Sequence, residues 1–239
     1  MAGHLNPVLL SYQYLWEIID WIFPPFCGGC GQSGYRWCDN CHQSTEHIPD
    51  QVCNVCGVPT RFPICDCENI TVEDFMIRSW GKYGGALRQA IQRLKYHNDI
   101  GLADTFSRLM IARIEKFNWD FDLVIPVPLS RARLKERGYN QSSLLARPIA
   151  WKSKKVFSQR ALMRVRDTIS QTTLDRDSRV SNVQDAFLAE KQSVYNKNVL
   201  LVDDLATTGA TLNACAVALR DAGAGKIYAF TLARTLLHD

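Results

Sequence analysis

Val199-Leu-Leu-Val-Asp203-Asp204-Leu-Ala-Thr207-Thr208-Gly209-Ala210-Thr211 is the stretch on which the reading of this chain turns. Val199–Val202 is an unbroken apolar run, the pattern of a central strand covered on both faces of a parallel sheet. The run ends in two carboxylates. A loop of small residues, Ala210 among them, then opens a helix predicted over Thr211–Ala222 and closed by Gly223. In open α/β sheets, ligands bind beyond the carboxyl ends of the strands. A helix N-terminus there offers free amides and a favourable dipole, the chemistry that holds a phosphate monoester. Gly209 allows close backbone approach, and Thr207, Thr208 and Thr211 add hydroxyl donors. Asp203 and Asp204 are placed to accept hydrogen bonds from neighbouring sugar hydroxyls. A strand ending Val-Asp-Asp also occurs in phosphorylation-receiver domains, but there the acidic pair sits on the first strand. Here it comes late in the chain, with Thr-Thr-Gly-Ala-Thr behind it.

The surrounding sequence supplies the rest of such a sheet. Phe75–Trp80, Leu123–Val127 and Ile227–Leu232 read as strands. Leu87, Ala90, Ile91 and Leu94 mark one amphipathic helix, Leu102, Phe106, Leu109, Met110 and Ile114 a second, and Ser142–Ala150 a third. Strand and helix alternate, which argues for a parallel α/β fold.

The first third of the chain obeys another rule. Eight of the nine cysteines form close pairs: Cys27/Cys30, Cys38/Cys41, Cys53/Cys56 and Cys65/Cys67. A C-x-x-C knuckle sets two thiolates on one side of a tight turn, and two knuckles complete a tetrahedral soft-ligand site. Four pairs therefore predict two structural Zn²⁺ sites, which stand in for the core that so short a segment cannot build. Disulfides fit poorly with such tight spacing and no secretory leader. An iron–sulfur cluster fits the regular pairs less well than zinc. Short intervening loops favour sequential over interleaved pairing. That places Cys27, Cys30, Cys38 and Cys41 at one site and Cys53, Cys56, Cys65 and Cys67 at the other. His42 and His47 are near, but the thiolates already fill both sites. Cys215 falls on the apolar face of its helix and reads as core.

The resulting organisation is an amphipathic helix over 1–24, a double zinc ribbon over 25–70 and an α/β domain over 71–239. Leu15, Ile18, Ile19 and Ile22 follow helical spacing, but Glu17 and Asp20 interrupt the apolar stretch. That stretch is too short and too polar for stable membrane insertion, and it lacks the Lys and Arg of a peripheral anchor. With no signal peptide evident, a cytoplasmic location is expected. The net charge of +4 permits a polyanionic ligand without requiring one.

The run from Val199 to Thr211 resembles the phosphoribosyl pyrophosphate (PRPP) signature of type I phosphoribosyltransferases. Two further stretches, Pro126–Gln141 and Arg166–Phe187, resemble segments of the competence protein F (ComF/GntX) family, as do the paired cysteines ahead of them. The resemblance spans Phe23 to Leu232. It implies a parallel-sheet type I phosphoribosyltransferase fold preceded by a small zinc-ribbon module. It also implies PRPP binding by Asp203, Asp204, Thr207, Thr208, Gly209, Ala210 and Thr211, with Mg²⁺ arriving on the PRPP. Arg131 and Arg133 become candidate pyrophosphate contacts in the loop after Pro128, with Lys135 and Arg137 behind them. Thr168–Asn182 corresponds to the lid, where Arg176 and Arg179 would reach pyrophosphate. The activity implied is transfer of the phosphoribosyl group to an unidentified acceptor with pyrophosphate release, linked to DNA uptake. One departure bears on the acceptor: Thr207 stands where 6-oxopurine salvage enzymes carry aspartate, which argues against hypoxanthine or guanine though not against other acceptors. Two other functions suit the same residues, a single-stranded-DNA-binding accessory protein and a PRPP-sensing regulator, either one partnering the competence machinery. For the DNA reading, Tyr35 and Trp37 would stack on bases while Arg131–Arg137 and Lys152–Lys155 follow the phosphates.

Overall fold

The computed structural model describes residues 24–61, 65, 67, 70–166 and 186–236, together with Ser11, Ile18, Asp20 and Trp21. In chain order the strands are β1 (Phe75–Lys82), β2 (Leu123–Pro126), β3 (Val156–Phe157), β4 (Leu162–Arg164), β5 (Phe187–Ala189), β6 (Val199–Ala206) and β7 (Ile227–Arg234). The helices are α1 (Asp39–Gln43), α2 (Gly85–Tyr96), α3 (Gly101–Ile114), α4 (Arg131–Arg137), α5 (Gln141–Ser153), α6 (Lys191–Val194) and α7 (Ala210–Asp221). Among the described residues, five strands form one parallel sheet in the order β1-β7-β6-β2-β3, and β4 and β5 form a separate antiparallel pair.

Alternation along the central strands divides the core in two. Leu200 and Val202 of β6 face α2, α3 and α5, where Phe106, Met110, Leu145 and Ile149 are fully buried. Leu201 faces the other way, toward Leu212, Cys215 and Leu219 of α7 and toward the β4–β5 pair. Cys215 is wholly buried there, and that burial raises its thiol pKa well above the ordinary value; it is a packing residue.

Helix placement follows the apolar spacing. Leu87, Ala90, Ile91 and Leu94 of α2 all point inward. The sheet departs from expectation at two points. β6 continues to Ala206 because its pairing with β7 runs on through Leu205↔Ala233 and Ala206↔Arg234. The acidic pair therefore lies inside the strand rather than beyond it. Residues 131–137, expected as a loop, form α4: Ser130 accepts a hydrogen bond from the Arg133 amide at 3.2 Å, and Gly138 ends the helix at φ 75°.

Beyond the outer edge of β1 lies the cysteine-rich segment. Ile48 N–H donates to Trp80 O at 3.1 Å, Lys82 N–H to Glu46 O at 2.7 Å, and Ile77 N–H to Val55 O at 2.8 Å. These bonds occupy edge groups that would otherwise invite another strand. The expected helix over 1–24 lies mostly outside the described residues, although Asp20 makes an ion pair with Arg36. Among the described residues, no helix is long and apolar enough to cross a membrane.

Candidate phosphate crevice and paired metal centres

The chain leaves β6 into α7 on one face of the sheet and leaves β2 into α4 and α5, with α5 on the other face. The switch point of the sheet therefore falls between the carboxyl ends of β2 and β6, the place where open α/β sheets bind their ligands. The two exits are tied together by Val127 N–H donating to Val202 O at 2.9 Å. Thr207 and Thr208 stand exposed at the exit of β6, and Thr211 stands exposed in the first turn of α7. Gly209 caps α7 in the left-handed region at φ 84°, a conformation that L side chains resist. The Thr208 hydroxyl accepts the Ala210 amide at 3.3 Å. The first-turn amides of α7 have no carbonyl a turn behind them within the helix.

Below this loop the two acids are buried, Asp203 being 9% and Asp204 3% exposed. Their partners come from three directions. The Ser142 hydroxyl, at the start of α5, donates to Asp203 Oδ1 at 2.7 Å, and the Asp204 amide donates to the same atom at 2.9 Å. Lys95 of α2 forms an ion pair with Asp204 Oδ2. Gln141 donates to Asp204 Oδ1 at 3.3 Å and accepts from the buried Arg137 at 2.9 Å. Arg137 also donates to the Tyr96 hydroxyl at 3.1 Å and lies over that ring. Burial, then the neighbouring Asp204 charge, push the Asp203 carboxyl up to about 7 against the opposing pull of Ser142 and Lys95.

Arg131 and Arg133 are exposed on the first turn of α4, and Arg131 lines a cavity of about 410 Å³ with Pro126, Leu129, Asn140 and Leu162. Arg137 is buried, its two Nη groups donating to Gln141 and Tyr96. Arg176 and Arg179, with the whole of 168–182, lie outside the described residues. Sequence reasoning missed Lys95, Gln141 and Ser142. Asn140 offered a signal for the last two: an N-cap whose side chain accepts the Ser142 amide at 2.9 Å.

The cysteines gather into two groups among the described residues, Cys27/Cys30/Cys38/Cys41 and Cys53/Cys56/Cys65/Cys67, with each group's sulfurs within 4.8 Å of one another. None of the nine forms a disulfide. Closest sulfur separations of 3.6 Å in the first group and 3.0–3.4 Å in the second compare with about 3.8 Å between ligands of a tetrahedral Zn–thiolate site. Burial opposes ionisation of Cys27, but the amides of Cys30, Cys38 and Gly29 hold its thiol down to about 6. Cys53 is likewise held at about 6 by the amides of Cys56, Cys65 and Val55. Burial and the neighbouring sulfurs push Cys41 and Cys65 upward, as expected of thiols crowded round a thiolate without a cation. The donor set fits zinc in both places. Gly57, at φ 74°, sits so close to Ile77 O that a side chain there would collide with the β1 backbone. Trp37 is partly buried and packs edge-on against Phe106 at 5.2 Å, whereas Tyr35 is exposed.

Parallel sheet, switch-point crevice and twin cysteine centres together define an α/β protein carrying a double zinc ribbon. The double zinc ribbon domain family matches residues 18–71. Competence protein F of Haemophilus influenzae is 30% identical over 210 residues, covering 82% of this chain and 90% of that protein. DNA utilization protein YhgH of Escherichia coli is 28% identical over 215 residues, covering 83% and 90%. The chain belongs to the competence protein F family. Among solved structures it is similar to the glutamine PRPP amidotransferase of B. subtilis, with 17% identity and a TM-score of 0.42. That match covers 59% of this chain and 30% of the larger enzyme.

Proposed function

We propose that this protein binds PRPP at the crevice between β2 and β6 and transfers its phosphoribosyl group to an acceptor, releasing pyrophosphate. The observation that carries the reading is the pairing of an amide-rich, threonine-lined helix N-terminus with a buried acidic pair directly beneath it. The 5′-phosphate sits on the amides after Thr207 and on the threonine hydroxyls. The ribose hydroxyls donate to the acids. Among the described residues both donors to Asp203 fall on Oδ1, which leaves Oδ2 to a ligand. Arg131 and Arg133, exposed at the opposite wall, meet the departing pyrophosphate. As the C1–O bond to pyrophosphate breaks, the acceptor nucleophile bonds to C1 and its proton leaves with the pyrophosphate. Magnesium carried on the substrate supplies charge neutralisation, and Asp203 and Asp204 are the hard oxygen donors suited to it. The cavity beside Arg131 gives the acceptor a half-apolar entry.

The names of the relatives favour work on DNA during its uptake or use, within a competence machinery. One observation supports direct DNA contact instead of catalysis: Arg131, Arg133 and Lys135 are all exposed on α4. Calorimetry with Mg²⁺–PRPP on D203N and on T207A/T208A tests the main reading, and a salt series with single-stranded DNA on R131A/R133A tests the other. Binding of PRPP weakened at least about tenfold in the first two variants is expected from the loss of charge-assisted hydrogen bonds. Parent-like PRPP binding in both overturns the proposal. A single-stranded DNA salt slope whose magnitude falls by about 1.4 in R131A/R133A, about 0.7 for each lost contact, would assign those cations to phosphate backbone.

A further inference from the structure

Asp203 and Asp204 are neighbours on β6 and are held in different ways. Both hydrogen bonds to Asp203 fall on Oδ1, so Oδ2 accepts from no described residue. Asp204 is engaged at both oxygens. Gln141 Nε2 donates to Oδ1 at 3.3 Å, and the Lys95 ammonium pairs with Oδ2, which is closed to solvent. Asp203 thus keeps an unused oxygen, whereas both oxygens of Asp204 bind the chain itself.

Each partner of Asp204 is fixed in turn. Lys95 lies in the last turn of α2, and the chain between α4 and α5 grips that end on either side of it. The Tyr139 hydroxyl donates to Leu94 O, and Arg137 Nη2 donates to the Tyr96 hydroxyl at 3.1 Å. Arg137 Nη1 donates to Gln141 Oε1 at 2.9 Å. With its carbonyl taken by a guanidinium, Gln141 presents its amide NH₂ to Asp204. Asn140, between them in the chain, donates to Val127 O at 3.0 Å, just past the end of β2. Arg137 closes α4, whose first turn carries the exposed Arg131 and Arg133. Asp204 is therefore the point on β6 to which both the arginine-bearing wall and the end of α2 are fastened. The threonine loop follows Asp204 on the same chain, from Thr207.

We propose that Gln141 and Lys95 are positioning residues: acting through Asp204, they set the span between the threonine loop and the wall of Arg131 and Arg133. The inference rests on the PRPP reading and adds to it the groups that hold the two anion-binding ends at a fixed separation. A ligand that ends at the ribose needs only the loop and the acids. One that carries pyrophosphate as well gains from the second wall only when the wall stands at the right distance.

The test is the preference for Mg²⁺–PRPP over ribose 5-phosphate, the first measured by direct calorimetry and the second by competition against it. Q141M unfastens the wall, and its preference falls about tenfold or more. R131A/R133A, which removes the wall's charge, also loses preference. Adding Q141M to R131A/R133A lowers it no further, because both changes act on one interaction. K95M/D204N removes the α2 fastening without stranding a charge and shifts the preference in the same direction; it replaces Q141M if that variant does not fold. A role in stability alone lowers the melting temperature and leaves the ratio of affinities where it was. An unchanged preference in folded Q141M or K95M/D204N overturns the proposal. So does a parent-like preference in R131A/R133A, or an equal further loss when Q141M is added to it. A parent that binds PRPP with no competition from ribose 5-phosphate overturns it too, since the loop and acids are then no site of their own. In all these cases PRPP binding by the parent stands. A parent that binds neither probe removes the PRPP reading itself, and the positioning role with it.

Discussion

A single carboxyl illustrates how the site stores charge. Asp203 carries its proton up to about 7 instead of the ordinary 3.8, first because it is buried and second because Asp204 is beside it. An unfolded chain gives that proton up near the ordinary value. Between the two values the folded chain therefore binds a proton that the unfolded chain has lost, and stability falls as the pH rises. Asp203's contribution is fully present below about pH 4 and is lost as pH climbs through about 7. D203N keeps the shape and cannot ionise. Its melting temperature, compared with the parent from pH 5.5 to 8.5 without ligand, should draw ahead as the pH rises toward about 7 and level off beyond it. Parallel curves would show that Asp203 does not titrate in this range. A carboxylate held partly neutral at neutral pH gains most from any ligand group that favours its charged form.

Between elements, the acidic pair acts as a joint. Lys95 belongs to α2, Gln141 and Ser142 to α5, and both helices are locked to β6 through Asp203 and Asp204. The Lys95 and Asp204 side chains are 16% and 4% exposed, so K95M strands a buried carboxylate. A loss of about 3–5 kcal/mol in denaturant unfolding is expected, with most of it recovered in K95M/D204N. A cost below about 1 kcal/mol would reduce the pair to a surface contact. Partnerships of this kind explain what was legible beforehand. Each long element announced itself: Leu87, Ala90, Ile91 and Leu94 fix α2 by period alone, and Val199–Val202 marks the central strand by its unbroken apolar run. The acids and the loop after them share one short stretch, so local chemistry exposed half of the crevice. Lys95 lies 109 residues from Asp204 in sequence, and only packing unites them. Arg137 looked like its neighbours Arg131 and Arg133, yet the end of a two-turn helix turns it inward toward Gln141. Ser130 and Gly138, a cap at either end, were the signals for that helix. β3, β4 and β5, at two or three residues each, carry too little pattern to stand out.

For the molecule as a whole, the ribbon does more than append two metals to a sheet. Glu46 and Ile48 lie between the two centres in sequence, Val55 lies inside the second, and all three bond to the outer edge of β1. Their positions depend on the knuckles on either side, because the segment has little core of its own: Ile48, Val52 and the cysteines make up most of its buried apolar residues. Removing metal should release this cover while leaving the main cores, built from residues 80–233 and 75–229, largely intact. The exposed product is an eight-residue edge strand whose partner on the other side is β7. Bare edges of that length pair with other chains. Stoichiometric metal analysis should give about two zinc ions per chain. Stripping them with a strong chelator should produce concentration-dependent association with the helical signal retained, not a monomeric unfolded chain. Size-exclusion chromatography with light scattering, run alongside circular dichroism at several protein concentrations, separates these outcomes. Association that grows with concentration while helicity persists fits an uncovered β1. A metal-free chain that stays monomeric with native helicity would mean the ribbon keeps its place on β1 without zinc, and the edge-cover role of the metals would have to be abandoned.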